Sequence, residues 1–375
     1  MNILYITHYS DLYGANKSLL NVIDGIKKKG VNPYVILPNT PGDLEVELKN
    51  RNIQYKKYFY RPWVRTVGRK RPIREFVIKI LNSFVSYCIA RDIMRWNIDL
   101  VHTNSICTDV GVRAAIKEKR NHIFHIREFM EEDYNLEFFN QKKAFRLINY
   151  SRRVIVISRA LYDKFAKNIP KNKLSLIYNG LEVPTVFKED HLLKETIRIL
   201  LVGFISVQKG TQEAIDAINE LVNEGMNNLQ LLIVGTGEKE YEDYLKEYVR
   251  NLKLEKNVLF LGYRKDVEIL RKEADLCLVC SKSEAFGRVT VEAMFSKVPL
   301  IATNTAGTAE IVRNFETGIV YESGNYQDLA QKIRYALSNY DEMRRIADNA
   351  YQYALENYTI AKNVEKIYSE YESIN

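Results

Sequence analysis

The chain is poor in cysteine and tryptophan, and it has no long uninterrupted run of apolar residues. Four cysteines in 375 residues are too few for a disulfide framework, which excludes the small disulfide-rich secreted folds. No apolar run reaches the roughly 18–20 residues that span a bilayer, and the start, MNILYITHYSD, lacks the basic region of a signal peptide. We therefore expect a cytoplasmic protein that begins with a short buried strand.

Signals for a metal site are also absent from the sequence. Cys277 and Cys280 form a CxxC inside the apolar run ADLCLVCS, but no second CxxC or CxxH accompanies them. No DxD lies in a metal-binding context, and no His, Cys or Asp cluster has ligand spacing. We predict that this CxxC is part of a buried strand and that the protein binds no metal or other cofactor.

Charge is distributed unevenly along the chain. Residues 1–180 hold 32 lysines and arginines against 16 acids, whereas residues 181–375 hold the remaining 23 against 31. The net charge of +8 therefore combines a basic first half with an acidic second half. This asymmetry indicates two domains that face different partners.

Apolar runs typical of strands alternate with amphipathic segments, which indicates parallel α/β architecture. In the first half the predicted strands are NILYIT, PYVILP, LVHTNS, HIFHI, RVIVIS and LSLIYNG. The second half restarts at Ile197 with IRILLVG, followed by LQLLIVG, VLFLG, LCLVC and PLIAT. We predict two doubly wound domains, 1–180 and 197–355, with a polar linker at 181–196 and a terminal helix at 356–375.

A basic segment interrupts this alternation. From Arg51 to Lys79 there are ten lysines or arginines against one acid, Glu75, with aromatic residues interleaved. Apolar residues then recur at helical spacing from Ile73 to Ile89. Two interpretations remain open: a solvated basic loop before a core-facing helix, or an anionic membrane surface bound through 51–90, where each basic residue contributes about 1 kcal/mol. Nucleic acid would attract the same segment, but no RNA-binding motif accompanies it.

The stretch SEAFGRVTVEAM, residues 283–294, follows the predicted strand LCLVC. The helix after its Phe-Gly-Arg turn would expose unpaired N–H groups and about half a positive charge, which suits phosphate. Gly287 lets the backbone approach an anion closely. Helical side chains tilt toward the N-terminus, so Glu292 can reach back to the same ligand. Because carboxylates repel a diphosphate, we predict that Glu284 and Glu292 contact hydroxyl groups that flank it.

The longer stretch SKSEAFGRVTVEAMFSKVPLIATNTAGTAEIV, residues 281–312, closely resembles the signature region of family 4 glycosyltransferases, including its E-x7-E spacing. Five shorter stretches that precede it also match the family pattern, more weakly, and occur in the same order as in the family: LYGANKSLL, IYNG, VGFISVQKG, VGTG and VLFLGYRKDV. The resemblance covers nearly the whole chain. It implies the α/β GT-B fold, in which two Rossmann-like doubly wound domains face a central cleft. Residues 1–180 would bind the acceptor and 197–355 the nucleotide sugar, and the C-terminal helix would pack back toward the N-terminal domain.

The resemblance also implies roles for individual residues. Glu284 would contact the transferred sugar and Glu292 the ribose, while Gly14 would let the first loop close on the donor. Backbone amides of the FGRV turn would hold the diphosphate, and the base would lie against Gly262 and Tyr263. The predicted donor-binding residues are Gly14, Gly203, Lys209, Gly262, Tyr263, Phe286, Gly287, Arg288, Val289 and Glu292.

One departure from the family pattern lies in VGFISVQKG. Family members often have arginine after the glycine, and this chain has Phe204. One diphosphate contact is therefore missing or supplied elsewhere. Arg288 and Arg264 are the candidates to supply it.

A second departure lies in HIREF, where the family's His-Asp pair aligns. Arg127 stands where histidine is usual, Glu128 stands at the acid, and His125 lies two residues before Arg127. Alternation along a strand could place His125 and Arg127 on one face. The predicted catalytic residues are therefore Glu284, Arg127 and Glu128, with His125 as the second choice for the histidine position or as a structural histidine. His102, with Asn104, either lines the acceptor side or is a core residue.

The resemblance implies retaining transfer of a sugar from a nucleotide diphosphate, UDP by family frequency, to an acceptor hydroxyl without a metal. The basic first half suggests a lipid-linked oligosaccharide acceptor in bacterial surface polysaccharide synthesis, and an enzyme peripheral to the inner face of the cell membrane. Nucleic acid is not an expected partner. The alternatives are a catalytically inactive nucleotide-sugar-binding or partner protein of the same fold, a sugar phosphorylase, and a nucleic-acid binder.

Overall fold

The computed structural model describes residues 1–185 and 195–374. The chain divides into two compact units: the N-terminal unit, Met1–Gly180 with the chain from Ile360 onward, and the C-terminal unit, Leu181–Thr359. The second boundary falls beyond the predicted residue 355, because a helix continues through that position to Asn357. Of the predicted linker, residues 186–194 lie outside the described residues.

The N-terminal unit is built on a parallel sheet that has seven strands within the described residues, in the order β3-β2-β1-β5-β6-β8-β9. Strands β4 and β7 form a separate antiparallel ribbon. The strands are β1 (Asn2–Ile6), β2 (Asn32–Pro38), β3 (Gln54–Tyr58), β4 (Val64–Thr66), β5 (Leu100–Thr103), β6 (Asn121–Ile126), β7 (Leu136–Phe138), β8 (Arg153–Val156) and β9 (Leu174–Leu176). All six strands predicted in this half are confirmed.

The C-terminal unit contains a second parallel sheet, with six described strands in the order β12-β11-β10-β13-β14-β15. Its strands are β10 (Ile197–Val202), β11 (Leu229–Val234), β12 (Val258–Gly262), β13 (Leu276–Val279), β14 (Leu300–Thr303) and β15 (Ile319–Tyr321). The five strands predicted here are confirmed. Cys277 lies in β13 and Cys280 just after it; both thiols are buried and free.

Helices connect most of the strands. They are α1 (Gly14–Lys27), α2 (Leu44–Asn50), α3 (Pro72–Arg95), α4 (Val110–Lys117), α5 (Glu131–Tyr134), α6 (Gln141–Ile148), α7 (Arg159–Phe165), α8 (Thr211–Asn223), α9 (Lys239–Asn251), α10 (Val267–Glu273), α11 (Arg288–Phe295), α12 (Ala306–Ile311), α13 (Tyr326–Ser338), α14 (Tyr340–Asn357) and α15 (Ile360–Ile374). Helix α15 packs in the N-terminal unit, against α1.

Strand β1 explains how the N-terminal sheet is covered on both faces. Ile3 and Tyr5 pack with residues of α1 and α15, whereas Leu4 and Ile6 pack with residues of α3 and α4. Because successive side chains on a strand point to opposite faces, the single apolar run of β1 contributes side chains to two separate cores.

Each sheet also has one point where the strand order reverses, between β1 and β5 in the N-terminal unit and between β10 and β13 in the C-terminal unit. In open α/β sheets, ligands bind where the loops after such strands diverge. The loops after β10 and β13 contain the VGFISVQKG and SEAFGRV stretches. The fold therefore brings these two motifs to the same point of the C-terminal sheet.

Helix α3 faces the core with only part of its apolar surface. Its inner face is buried through Val85 and Ile89, but its outer face is also apolar and exposed. The exposed side chains on that outer face, with their exposed fractions, are Ile73 83%, Phe76 60%, Val77 56%, Ile80 55% and Phe84 66%. The apolar residues between Ile73 and Ile89 thus form two faces, of which one packs on the sheet.

The basic segment is not a loop throughout, because it contains β3 and β4. Some of its cations are used inside the unit: Lys56 pairs with Asp92, and Arg65 pairs with Glu75 and Glu137. A group of exposed cations remains around the start of α3, namely Arg61, Arg69, Lys70, Arg71 and Arg74.

Candidate active site

The bend between β13 and α11 is formed by Gly287. This residue has a left-handed φ of +94° at the N-cap of α11, a conformation that L side chains rarely adopt. A Cβ atom there would lie 3.2 Å from Thr290 Oγ1 and 3.3 Å from Ile311 Cδ1. The first amides of α11 have no partner within the helix and concentrate about half a positive charge. The bend can therefore receive an anion.

The loop after β14 forms hydrogen bonds and close contacts with the backbone of this bend. The Gly307 amide donates to the Glu284 carbonyl at 2.9 Å, and a Cβ atom on Gly307 would lie 2.8 Å from both the Glu284 and the Phe286 carbonyl oxygens. The Thr303 and Thr305 hydroxyls each donate to the Ser281 carbonyl at 2.9 Å. The backbone from 281 to 287 is thus fixed by the loop after β14.

Lys209 donates a hydrogen bond to the carboxylate of Glu284. The two residues meet because β10 and β13 are neighbours and their loops touch: the Lys282 amide donates to the Gln208 carbonyl at 2.8 Å. Gly210 permits this approach, since a Cβ atom on it would lie 2.2 Å from the Cys280 carbonyl oxygen. The Glu284 charge is therefore balanced by a cation from the neighbouring loop.

The second glutamate of the motif is also paired. Arg271 of α10 is 5% exposed and donates to Glu292, and the Arg288 guanidinium lies 3.8 Å from the same carboxylate. Both acids beside the Gly287 bend thus have cationic partners. This pairing explains how an anion site can sit between two carboxylates without net repulsion.

Three glycines line the carboxyl edge of the C-terminal sheet next to this bend. The Gly203 amide donates to the Val234 carbonyl at 3.0 Å, and the Gly235 amide donates to the Gly262 carbonyl at 2.9 Å. A Cβ atom on Gly235 would lie 1.8 Å from the Gly203 carbonyl oxygen, so only glycine fits there. Beyond Gly262, which has φ +64°, Tyr263 is 69% exposed.

A cavity of about 50 Å³ opens at this edge. Its lining includes Phe204 and five of the predicted site residues: Gly203, Lys209, Glu284, Gly287 and Val289. The Phe286 side chain does not take part, because it is buried and packs edge-on against Tyr358 with ring centroids 5.8 Å apart. The backbone of Phe286 is therefore the part that can face a ligand.

In the N-terminal unit, Arg127 follows β6 and is 8% exposed. Its Nε donates to Asn104 Oδ1 at 2.6 Å, and its NH1 donates to Asn179 Oδ1 at 2.5 Å. Asn104 in turn donates to the Ala15 carbonyl at 3.1 Å, at the start of α1. Arg127 is thus linked through Asn104 to the start of α1, where Gly14, expected in the preceding loop, is the first residue of the helix.

Glu128 belongs to a different polar group from Arg127. Its Oε1 accepts hydrogen bonds from the Ser105 hydroxyl and from the Ile106 amide, the latter at 2.9 Å, and the Cys107 thiol lies 3.5 Å away. Burial raises the pKa of Glu128, and the hydrogen bonds it accepts oppose that rise. A buried carboxyl with a raised pKa is able to hold or accept a proton.

His125 is fully buried and contacts Arg127, with the Arg127 NH2 3.3 Å from His125 Nδ1. The same Nδ1 lies 3.2 Å from His102 Nε2, and His102 Nδ1 lies 2.7 Å from the Tyr371 hydroxyl on α15. Burial, and then the Arg127 charge, hold the pKa values of both histidines well below the usual range. The core interpretation of His102 is therefore confirmed.

Comparison with known proteins places the whole of this arrangement in one family. The model of the glycosyl transferases group 1 matches residues 184–353, and the model of glycosyltransferase family 4 matches residues 13–183. Together they cover residues 13–353, which is most of both units.

The chain belongs to the family 4 glycosyltransferases.

Individual relatives agree with this assignment. The chain is 30% identical over 236 residues to N-acetyl-α-D-glucosaminyl L-malate synthase of Bacillus anthracis; the match covers 60% of each chain. It is 23% identical to the Escherichia coli UDP-Gal:α-D-GlcNAc-diphosphoundecaprenol α-1,3-galactosyltransferase, with 96% of each chain covered. The structure of Anabaena HepE in complex with UDP matches with a TM-score of 0.82 at 21% identity over 100% of both chains. These likenesses and the two parallel sheets establish the GT-B fold.

Two predicted sources for the missing diphosphate contact differ in this family 4 glycosyltransferase. Arg264 is paired with Asp266, with hydrogen bonds of 2.8 and 2.6 Å, on the exposed surface. Arg288 is the first residue of α11, directly after Gly287. Phe204 lines the cavity and is 54% exposed. Of the two arginines, Arg288 is the one that adjoins the bend.

Sequence reasoning missed several residues that shape these sites. Arg271 comes from another helix, 21 residues before Glu292, and no motif announces it. The buried hydroxyls of Thr290 and Thr308 lie under Gly287 and have no hydrogen-bond partner among the described residues. Tyr371 reaches His102 from 269 residues away, a distance no local pattern reveals.

The described residues contain neither a group of metal ligands nor a membrane-spanning helix. Within the ranges 1–185 and 195–374, no three or more His, Cys, Asp and Glu side chains are grouped so that they could hold a metal ion. In the same ranges, no helix combines the length and the apolar character needed to cross a bilayer.

Proposed function

We propose that this family 4 glycosyltransferase transfers a sugar from a UDP-sugar to a hydroxyl group of a lipid-linked glycan, with retention of anomeric configuration. The observation that carries the donor half is the Gly287 bend, flanked by Glu284 and Glu292, each paired with its own cation. HepE, of the same fold, binds UDP, and the E. coli relative is named for a UDP-sugar donor and a diphosphoundecaprenol acceptor. We assign Glu284 to the sugar hydroxyls and Glu292 to the ribose.

The chemical step breaks the bond between the anomeric carbon and the β-phosphate oxygen, and the electron pair stays on the diphosphate. The acceptor oxygen forms its bond to the anomeric carbon from the side of the leaving group, and its proton passes to a phosphate oxygen. Preorganised N–H groups at the start of α11 stabilise the charge that develops on the leaving diphosphate, which is usually the largest catalytic contribution. Arg288 adds a cation at the same place.

We propose that protein groups, and not a metal ion, neutralise the charge of the donor diphosphate. The N-terminus of α11 supplies positive charge at the bend, and Lys209 and Arg288 lie beside it, each shared with a glutamate of the motif. We therefore expect transfer to continue after treatment with EDTA. Loss of activity on chelation, with recovery on addition of Mg²⁺ or Mn²⁺, would overturn this part of the proposal.

The N-terminal unit suits an acceptor held at a membrane, which here is the anionic inner face of a bacterial cell membrane. The outer face of α3 exposes apolar side chains, and the exposed cations from Arg61 to Arg74 lie around the start of that helix. An apolar strip with basic residues beside it is the composition of an interfacial helix, to which each basic residue adds about 1 kcal/mol. A biosynthetic role in surface polysaccharide is the corresponding expectation.

The donor assignment is tested by offering UDP-, GDP- and ADP-sugars with a lipid-linked acceptor and measuring nucleotide release. We expect release from a UDP-sugar that depends on the acceptor, and strong loss in both Glu284→Ala and Glu292→Ala. Nucleotide release that is unaffected in both variants would refute the site. Release that requires inorganic phosphate instead of an acceptor would identify a phosphorylase.

Membrane binding is tested by sedimentation with vesicles of anionic or neutral phospholipid. Val77→Ser with Ile80→Ser removes two exposed residues from α3, and Val46→Ser with Ile269→Ser is a control of nearly equal exposure elsewhere. We expect the first pair to lower binding to anionic vesicles about tenfold. Equal binding of the two double variants to anionic vesicles would refute the proposal that the outer face of α3 binds the membrane.

A further inference from the structure

A second cavity, of about 290 Å³, lies within the N-terminal unit, between α3, the ribbon strand β7 and α6. Four aromatic side chains line it: Trp63, Phe76, Phe138 and Phe139. Trp63 and Phe138 pack edge-on, with ring centroids 5.2 Å apart. The cavity thus offers apolar walls to part of a ligand.

Three cations line the same cavity: Lys79 of α3, Arg113 of α4 and Lys143 of α6. The two acids in its lining already have partners. Glu75 accepts two hydrogen bonds of 2.9 Å from Arg65, and Asp109 accepts one of 2.8 Å from Asn82 and another from Arg113. The carboxylates present are therefore committed to neighbouring donors.

The two lysines of this group, Lys79 and Lys143, are not balanced in the same way. Among the described residues, neither ammonium group has a carboxylate within 4.0 Å. Burial, and then the charges of Arg113 and Lys79, lower the pKa of Lys143. Like charges thus lie close together in the lining of the cavity, and a bound anion would relieve their repulsion.

The apolar wall continues out of the cavity onto the surface. Phe76 lines the cavity and is also 60% exposed on the outer face of α3. Ile80 and Phe84 follow it at intervals of four residues, which places them on the same face of the helix. A ligand with an anionic group between the lysines could therefore lay an apolar chain along α3.

The wall of the cavity is connected to the buried carboxyl of Glu128 by two hydrogen bonds through Ile106. The Trp63 indole donates to the Ile106 carbonyl at 2.7 Å, and the Ile106 amide donates to Glu128 at 2.9 Å. One residue, Ile106, thus separates the wall of the cavity from Glu128.

We propose that this cavity binds the diphosphate and the first isoprene units of a polyprenyl diphosphate carrier, the lipid part of the acceptor. The inference rests on the proposed function, because it takes the lipid-linked acceptor from there. Lys79 and Lys143 bind the diphosphate, while Phe76 and its neighbours on α3 contact the chain. Anionic charge and an isoprenoid tail are both required.

The test is calorimetric titration of the full-length protein with farnesyl diphosphate below its critical micelle concentration. Lys79→Gln with Lys143→Gln is the test variant. Lys28→Gln with Lys167→Gln makes the same charge change at exposed positions outside the cavity lining. We expect the test variant to lose about tenfold or more in affinity and the control to lose none. Lys79→Arg with Lys143→Arg should restore most of the binding.

Each other outcome overturns the assignment. Equal affinity of the test variant and the control would place the lipid elsewhere. Inorganic diphosphate or farnesol binding as tightly as farnesyl diphosphate would show a simple anion patch or a simple apolar surface. A test variant that loses binding to phosphatidylglycerol vesicles but keeps farnesyl diphosphate would assign the lysines to bilayer phospholipid. Titration of the unsubstituted protein with UDP tests the proposed donor independently. If UDP does not bind, the proposed donor is refuted, and the titration with farnesyl diphosphate still decides whether the cavity binds the lipid.

Discussion

Lys209 and Glu284, 75 residues apart in sequence, form an ion pair at the carboxyl edge of the C-terminal sheet. The pair joins the loop after β10 to the loop after β13. It holds a negative charge beside the Gly287 bend without leaving that charge uncompensated. The two members of the pair should therefore have opposite effects on nucleotide binding.

Removing one charge at a time tests this relationship. We expect Glu284→Gln to tighten UDP binding while lowering sugar transfer, because a repulsive charge is lost together with a contact to the sugar. We expect Lys209→Met to weaken UDP binding about tenfold, or roughly 1.4 kcal/mol, since Glu284 is left unpaired. Calorimetric titration with UDP measures both. A change of the same sign in both variants would contradict the pairing.

The left-handed bend at Gly287 can be tested against a matched glycine. We expect Gly287→Ala to cost about 1–2 kcal/mol of stability through its φ of +94°, and to lower UDP affinity more than tenfold by displacing the first amides of α11. Gly225→Ala has a similar φ of +100° with nothing within 4 Å of the added Cβ. It should show the strain in urea denaturation but keep UDP affinity. Equal UDP affinity in the two variants would remove the bend from the site.

Tyr371 extends a buried chain of polar contacts to Arg127 through His102 and His125. Tyr371→Phe leaves His102 Nδ1 without its partner, and we expect a loss of about 1–3 kcal/mol of stability. Because Arg127 is positioned through this chain, kcat should fall while the KM for the donor changes little. Tyr368→Phe, on the same helix, is the control. A Tyr371→Phe variant that is less stable but has an unchanged kcat would make the chain purely structural.

The buried histidines make stability depend on pH. Burial lowers the pKa of His8 and of His122 to about 3, and it lowers those of His102 and His125 well below the usual range. Between pH 6.5 and about 3 the unfolded chain therefore binds more protons than the folded one, and stability falls as pH falls. Glu128 and Asp216, whose pKa values are raised by burial, act in the opposite direction, but they are two groups against four.

Urea denaturation of the protein at pH 7.5 and pH 5 measures this dependence. Each neutral buried histidine contributes up to about 1.4 kcal/mol per pH unit once the pH is well below 6.5. We expect the free energy of unfolding to be lower at pH 5 by several kcal/mol. A free energy that is unchanged between the two pH values would show that the histidines are already protonated or exposed.

Much of the fold was predictable because its strands are buried on both faces. Runs such as NILYIT and IRILLVG are nearly continuous in apolar residues, as expected of parallel strands between two helical layers. Strand β3 escaped prediction because its sequence, QYKKY, is half-exposed and polar at the edge of the sheet. The sequence left two interpretations of α3 open because helical periodicity shows an apolar stripe without showing what covers it.

The candidate site likewise has a part that was predictable from the sequence and a part that was not. Gly287 and the two glutamates were predictable from one contiguous stretch, since the chemistry of a strand, a bend and a helix is local. The partners of those glutamates depend on which strands and helices become neighbours, so neither Arg271 nor the pairing of Lys209 with Glu284 could be found from the sequence. Whether Arg127 and Glu128 share one network was likewise a question of tertiary packing.

The most direct test of the central claim is a crystal structure of the protein soaked with UDP. We expect the diphosphate within hydrogen-bonding distance of the backbone amides from Gly287 to Val289, with Glu292 on the ribose hydroxyls. UDP bound at any other place, with the bend left empty, would contradict the assignment.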